Sequence, residues 1–207
     1  MDVVVAAFDV DNTLTVRDCV VPFMQRVAGR SGFAKACVSQ LVDLVKLILQ
    51  RDRDAIKAYF VEKVFAGKNV EEVGLSGVEF ASHVVRSWMR EDVAQQMRWH
   101  QSQGHVVVLV SASLEPYLHA FGDFCEVDAV LCTELEQSDG IFTGKIAGSN
   151  CRGPEKVRRL REWMESSGIS AESLMYAYGD SSGDTALLEA AQFGYNVKHM
   201  DDVREFV

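Results

Sequence analysis

Val3-Val4-Val5-Ala6-Ala7-Phe8-Asp9-Val10-Asp11-Asn12-Thr13-Leu14-Thr15 is the stretch whose reading decides the fold. The run from Val3 to Phe8 is apolar without alternation, the pattern of a strand buried on both faces of a parallel sheet. Asp9 and Asp11 stand two residues apart where that strand ends, and ligands in open α/β sheets bind just beyond the carboxyl ends of strands. Two like charges held side by side out of water need a cationic partner, and a hard divalent ion with oxygen ligands is the usual one. The plainer reading is a strand-end turn, with solvated acids and Asn12-Thr13 closing turn hydrogen bonds.

Beyond this strand the text changes character. From Val16 to Glu91 apolar residues recur at helical spacing, predicting helices over Val20–Ala28, Gly32–Gln50, Arg53–Phe65 and Gly77 to Gln103. Strand-like text returns at His105–Val110, which ends at Ser111 and is followed by a helix over Glu115–Phe124 and a strand over Val127–Cys132. Ile141–Ile146 reads as hairpin text after the turn Ser138-Asp139-Gly140. A helix Pro154–Ser167 opens on proline and acid and closes before Gly168; then come a strand Leu174–Tyr178, a helix Thr185–Gln192 and a strand Tyr195–Lys198. Strands alternating with helices predict an α/β fold, a doubly wound, Rossmann-like parallel sheet. Its core takes residues 1–15 and 92–207, and residues 16–91 form an all-helical insert after the first strand.

Composition narrows the partners. The chain has 207 residues, 48% of them apolar, enough for one large domain or a core carrying a smaller insert. A net charge of -9 argues against nucleic acid and anionic membrane, though a phosphate substrate needs only local positive charge. Five cysteines without a CxxC pair or zinc spacing suggest reduced thiols. No leader precedes the first strand, so a cytoplasmic protein is expected. The most apolar helical text, Cys37 to Leu49, is broken by Gln40, Asp43 and Lys46 and is too short for a transmembrane segment.

Three strand ends carry complementary polar groups: Asp9 and Asp11 after the first, Ser111 after the second, Asp180 and Asp184 after Leu174–Tyr178, with Lys156 at a helix start. Parallel strands bring these ends to one edge. Carboxylates and one lysine make a poor anion site alone, but with Mg²⁺ they suit a phosphoryl group. An aspartate can take that group as an acyl-phosphate while a second acid protonates the leaving alcohol and then deprotonates water; Asp9 and Asp11 supply both parts. Individually these residues have blander readings. Asp180 and Asp184 would cap the following helix, Lys156 would be a solvated helix lysine and Ser111 an ordinary strand-end hydroxyl. The five histidines lack metal-ligand spacing, and Trp88, Met89 and Trp99 read as packing along one long helix.

In this order and spacing the residues resemble the four motifs of the haloacid dehalogenase superfamily of phosphohydrolases. Asp9-Val10-Asp11-Asn12-Thr13 matches the first motif, Ser111 the second, Lys156 in Gly153-Pro154-Glu155-Lys156-Val157 the third, and Gly179-Asp180 to Asp184 the fourth. The resemblance implies that Asp9 is nucleophile and metal ligand, and that Asp11 is general acid/base with its backbone carbonyl on Mg²⁺. It implies that Ser111, Ala112 and Lys156 hold phosphate and that Asp180 and Asp184 complete the metal site. The insert is similar to the type I cap of the phosphoserine-phosphatase-like branch, subfamily IB, which covers nearly the whole chain. Asp18, Ser113 and Arg152 are candidate substrate contacts.

Departures from that branch separate phosphomonoester chemistry from phosphoserine itself. Ser111-Ala112-Ser113 stands for Ser-Gly-Gly, Gly183 replaces an asparagine, Asp18 replaces a glutamate, and the cap's arginine motif has no clear match. The expected partner is a small phosphomonoester. Alternatives are a lipid phosphate such as phosphatidylglycerophosphate, phosphotransfer to an alcohol, a phosphoaspartate signalling module of the receiver type, or a silent binding protein. The insert and the built-in acid/base Asp11 speak against the receiver. Oligomeric state is not legible.

Overall fold

The computed structural model describes residues 3–38, 49 and 52–198. Its centre is a five-stranded sheet in the order β3-β2-β1-β6-β7, every neighbouring pair parallel. The strands are β1 (Val4–Phe8), β2 (Val106–Leu114), β3 (Ala129–Thr133), β6 (Leu174–Gly179) and β7 (Phe193–Asn196). A separate antiparallel pair, β4 (Leu135–Ser138) and β5 (Ile141–Ile146), turns through Asp139 and Gly140, both at positive φ. Helices α1 (Val20–Val38), α2 (Arg53–Phe65), α3 (Val70–Ser87) and α4 (Glu91–Ser102) lie between β1 and β2; α5 (Glu115–Phe124), α6 (Pro154–Ser166) and α7 (Thr185–Ala190) follow. This is the doubly wound α/β architecture expected.

Period-two geometry explains how both faces of β1 are buried. Ala6 and Phe8 join Val107 and Leu109 on one face, packed with α4, α5 and the insert; Val5 and Ala7 join Val108 and Val110 on the other, packed with α6 and α7. The first cluster runs on without interruption into Phe23, Phe65, Phe80 and Phe142, so the insert helices share the sheet's apolar core. Tyr117 of α5 is the meeting point, its ring 4.8 Å from that of Phe23 and 5.3 Å from that of Phe80. Close backbone approach makes this joint: a Cβ at Gly77 would lie 1.8 Å from the Pro116 carbonyl oxygen.

Several boundaries differ from expectation. The single helix expected over Gly77–Gln103 is two, α3 and α4, and α3 starts earlier, with Asn69 accepting from the Glu72 N–H at 3.0 Å. The break has a physical cause: the two crossings between sheet and insert pair with each other. Val16 N donates to Trp88 O and Arg90 N to Leu14 O, each at 2.8 Å, forming a short antiparallel bridge that no continuous helix can join. Trp88 and Met89 thus sit in this bridge, not along a helix, and the Arg17 guanidinium lies 4.5 Å from the Trp88 ring centroid.

Val20–Ala28 and the start of Gly32–Gln50 merge into α1, bent at Gly29, while the rest of the second prediction, Leu49 apart, lies outside the described residues. The second strand extends through Ser111 to Leu114 across a register shift, and the last strand lies two residues earlier than expected. No described helix is long and apolar enough to cross a membrane, and all five cysteines are free thiols.

Candidate active site

The sheet order reverses at β1, between β2 on one side and β6 on the other, and the crevice opens beyond the carboxyl ends of these strands. A cavity of about 590 Å³ lies there. Asp9, Asp11, Ser111, Ala112, Lys156, Asp180 and Asp184 all line it, as do Asp18 and Arg152. Ser113 alone among the predicted residues does not line the cavity. It is fully buried and backs the cavity wall, its hydroxyl donating to Asp11 Oδ2 at 2.7 Å and accepting from Tyr117 at 2.8 Å.

Lys156 is the electrostatic centre. Only 2% exposed, its ammonium donates to Asp9 Oδ1 at 2.7 Å and to Asp184 Oδ1 at 2.6 Å. Burial acts against the lysine's charge, but the two carboxylates overcome it and hold the pKa above the ordinary value. Asp184 is drawn below its usual range because the Lys156 ammonium outweighs burial. Asp9 goes the other way: burial and the neighbouring Asp184 raise its pKa despite Lys156. Its second oxygen accepts from Thr13 Oγ1 at 3.1 Å, which fixes the carboxylate's rotation.

Asp11 is held apart from this cluster. Its Oδ1 accepts from Cys19 N at 2.8 Å and its Oδ2 from Ser113. Burial first, then the nearby charges of Asp18 and Asp9, push its pKa to about 7. The turn Val10–Leu14, which carries Asp11, contains Asn12 at φ 60, a left-handed position that asparagine tolerates.

The capping expectation for the last motif is not what the side chains do. Asp184 sits at the N-cap of α7 without a side-chain cap bond. Its Oδ2 turns back to accept from Asp180 N, Ser181 N and Ser181 Oγ at 3.3, 3.0 and 2.8 Å. Asp180 pairs with Lys198 at 2.6 Å. Asp18 accepts from Val21 N in the first turn of α1 at 3.0 Å and also lines the cavity.

Asp9, Asp180 and Asp184 offer ligand oxygens within 4.8 Å of one another, all three residues buried. Three hard carboxylate donors converging at that spacing fit a divalent cation such as Mg²⁺. No histidine joins a metal-capable group among the described residues; His100 is buried and bonded instead to the Tyr178 hydroxyl and His105.

A haloacid dehalogenase-like hydrolase family model matches residues 6–189. The chain belongs to that family. It is a haloacid dehalogenase-like hydrolase with the fold seen in phosphoserine phosphatase. It is 34% identical to protein CicA of Caulobacter vibrioides over 92% of this chain and 85% of that protein. In structure it is similar to a protein of unknown function from Bordetella pertussis Tohama I, at a TM-score of 0.77 and 24% identity, covering 92% of this chain and 87% of the other. It is also similar to phosphoserine phosphatase in a phospho-aspartyl intermediate analogue, at a TM-score of 0.61 and 18% identity, covering 92% and 84%. At these identities the structural likenesses are likenesses of fold.

Several residues that sequence reasoning missed line the same cavity. Arg53, Ile56, Lys57 and Phe60 come from α2, Val20, Val21 and Met24 from α1, and Lys198 from beyond β7. Nothing in an amphipathic helix marks which turn faces a site on another part of the chain. Asn150 was more accessible to reading, since it lies in the segment that leads into Lys156.

Proposed function

We infer that the enzyme hydrolyses small phosphomonoesters through an aspartyl-phosphate at Asp9, with Mg²⁺ as cofactor. The observation that carries this reading is the buried lysine between Asp9 and Asp184, at the carboxyl ends of β1 and β6, with a second acid of raised pKa two residues from the first. Asp9 attacks phosphorus and the ester P–O bond breaks. Asp11, favoured in its protonated form by burial, gives its proton to the departing alcohol oxygen. Water then attacks the same phosphorus, Asp11 takes its proton, and inorganic phosphate leaves with the Asp9 carboxylate restored. Ser111, the backbone at Ala112 and Lys156 hold the phosphoryl oxygens. Mg²⁺ held by Asp9, Asp180 and Asp184, with the Asp11 carbonyl, would neutralise the acids and the charge building on phosphorus.

Residues 16–91 serve as the cap over this site. Closure of a cap excludes water from the acyl-phosphate and chooses the leaving group. The fold of phosphoserine phosphatase supports a metabolite-sized substrate. The apolar side chains of Val20, Val21, Met24, Ile56 and Phe60 favour a second reading, in which the leaving group has an apolar portion, as in a lipid phosphate.

Phosphate release is to be measured with O-phosphoserine, sugar and polyol phosphates, nucleotides and detergent-solubilised phosphatidylglycerophosphate. We expect one class to dominate, activity to vanish in chelator and return with Mg²⁺, and Ca²⁺ to substitute poorly. Undiminished turnover in excess chelator would overturn the metal assignment; added alcohols trapping the phosphoryl group would redefine the enzyme as a phosphotransferase.

A further inference from the structure

Asn150 stands in the loop before α6, and its amide is gripped from both ends by α2. Its Oδ1 accepts from Lys57 Nζ at 2.8 Å, and its Nδ2 donates to Asp54 Oδ1 at 2.6 Å. Asp54 and Lys57 lie three residues apart on one face of the helix, so a cation and an anion meet the acceptor and donor ends of one side chain. This polarity determines the orientation of the amide: flipped, it would set its NH₂ against an ammonium and its oxygen against a carboxylate.

The same ammonium reaches further. Lys57 Nζ donates to the Ala112 carbonyl at 2.6 Å, and Thr133 Oγ1 lies 3.0 Å from that carbonyl and 2.8 Å from Asn150 Oδ1. The peptide that owns this carbonyl continues into Ser113, whose N–H donates to Ser111 Oγ at 3.2 Å and whose hydroxyl holds Asp11. A side chain of the insert therefore tethers the backbone on which Ser111 and the Asp11 support are mounted.

We propose that Asp54 and Lys57 form a two-pronged latch on Asn150 and Ala112, which makes Asn150 and Lys57 positioning residues that order the Ser111–Ser113 segment only when α2 is docked. Resting on the phosphatase reading above, the latch couples closure of the insert to phosphate affinity. Removal of the insert's grip leaves Ser111 and Asp11 present but poorly placed.

The test uses the whole protein and exchanges the latch's polarity. Asn150→Asp replaces the donor facing Asp54 with an acceptor, and adding Asp54→Asn returns a donor to that contact. Hydrogen exchange of residues 53–65 without substrate, the Kd for inorganic phosphate in Mg²⁺ buffer, and KM against kcat are the readouts. We expect Asn150→Asp to speed exchange in α2 and to raise phosphate Kd and KM about tenfold, with the double variant recovering most of each loss. Because Asp54 is exposed, Asp54→Ala provides the same test, with a smaller loss, if Asn150→Asp fails to fold. Unchanged exchange in α2 overturns the latch. Faster exchange with unchanged Kd and KM reduces it to a structural tie and overturns the positioning role, as does failure of the double variant to recover. If the wild-type protein neither binds phosphate nor hydrolyses any phosphomonoester, the reading of the site falls while the exchange data still judge the latch.

Discussion

The two walls of the cavity are built on opposite plans. The wall made by the sheet edge, with Asp9, Lys156, Asp180 and Asp184, is buried and charged, and every carboxylate in it is paired or hydrogen-bonded. The wall made by α1 and α2 is mixed in polarity and partly exposed, with apolar Ile56 and Phe60 beside Arg53 and Lys57. Buried, paired charge is costly to rearrange, because breaking one pair leaves an uncompensated ion. A half-exposed amphipathic wall tolerates exchange of its side chains at small cost. On the function proposed above, the difference teaches that the sheet-edge wall is held to one arrangement, while the apolar positions of the other wall, Ile56 and Phe60, can vary with the substrate.

The comparison breaks most sharply at Asp9. Asp9→Asn, nearly isosteric, should lower kcat by roughly 10⁴-fold or more while leaving the fold intact, since the attacking oxygen is lost. Comparable turnover in phosphate-release assays, alongside an unchanged thermal melt, would remove Asp9 as nucleophile. Next in size is Lys156→Met, which leaves Asp9 and Asp184 buried without their cation. We expect a loss of about 3–5 kcal/mol in urea unfolding with chelator present, partly recovered on adding Mg²⁺. Equal stability in chelator would mean that this wall is not held by its charges.

Acid tests the sheet's own support. His100 is fully buried, and burial, with His105 adding, lowers its pKa from 6.5 to about 4. The unfolded chain takes up that proton below about pH 6.5 and the folded chain only near 4, so unfolding binds a proton in between. Its contribution is fully present above pH 6.5 and declines as pH falls to 4, by roughly 3 kcal/mol. Comparing urea midpoints of wild type and His100→Gln at pH 7 and 4.5 isolates this from other acid effects; parallel losses would refute it. The smallest effect is expected on the other wall. Phe60→Ala should shift the kcat/KM ratio between apolar and polar leaving groups about tenfold, with the Asp9-dependent step retained. An equal loss on every substrate would place Phe60 with the catalytic wall instead.

The unequal legibility of the two walls follows from the same physics. Strand ends announce themselves because an apolar run must stop where a carboxylate begins, as Phe8 stops at Asp9, and parallel pairing then gathers all such ends at one edge. Asp9, Asp11, Ser111, Lys156, Asp180 and Asp184 could be read together for that reason, and they do line one cavity. Lys57 and Phe60 could not be read, because helical periodicity marks a buried stripe without saying what it faces. The break at Trp88-Met89 escaped for a related reason: the text remains helical, and only pairing with Thr15, far away in sequence, interrupts it. Ser113 was read as a candidate substrate contact, yet in the irregular stretch of β2 between Val110 and Leu114 its hydroxyl meets Asp11 and Tyr117 instead.

The sequence by itself determined the α/β class, the order of the motifs and the residue types at the strand ends, because local hydrophobic period and charge placement are properties of short stretches. Tertiary structure alone decided the clamp of Lys156 between Asp9 and Asp184, the continuity of the insert's core with the sheet, and the grip of Asp54 and Lys57 on Asn150. Those contacts join residues up to 147 positions apart, and no local pattern records a contact whose partner is chosen by how helices pack.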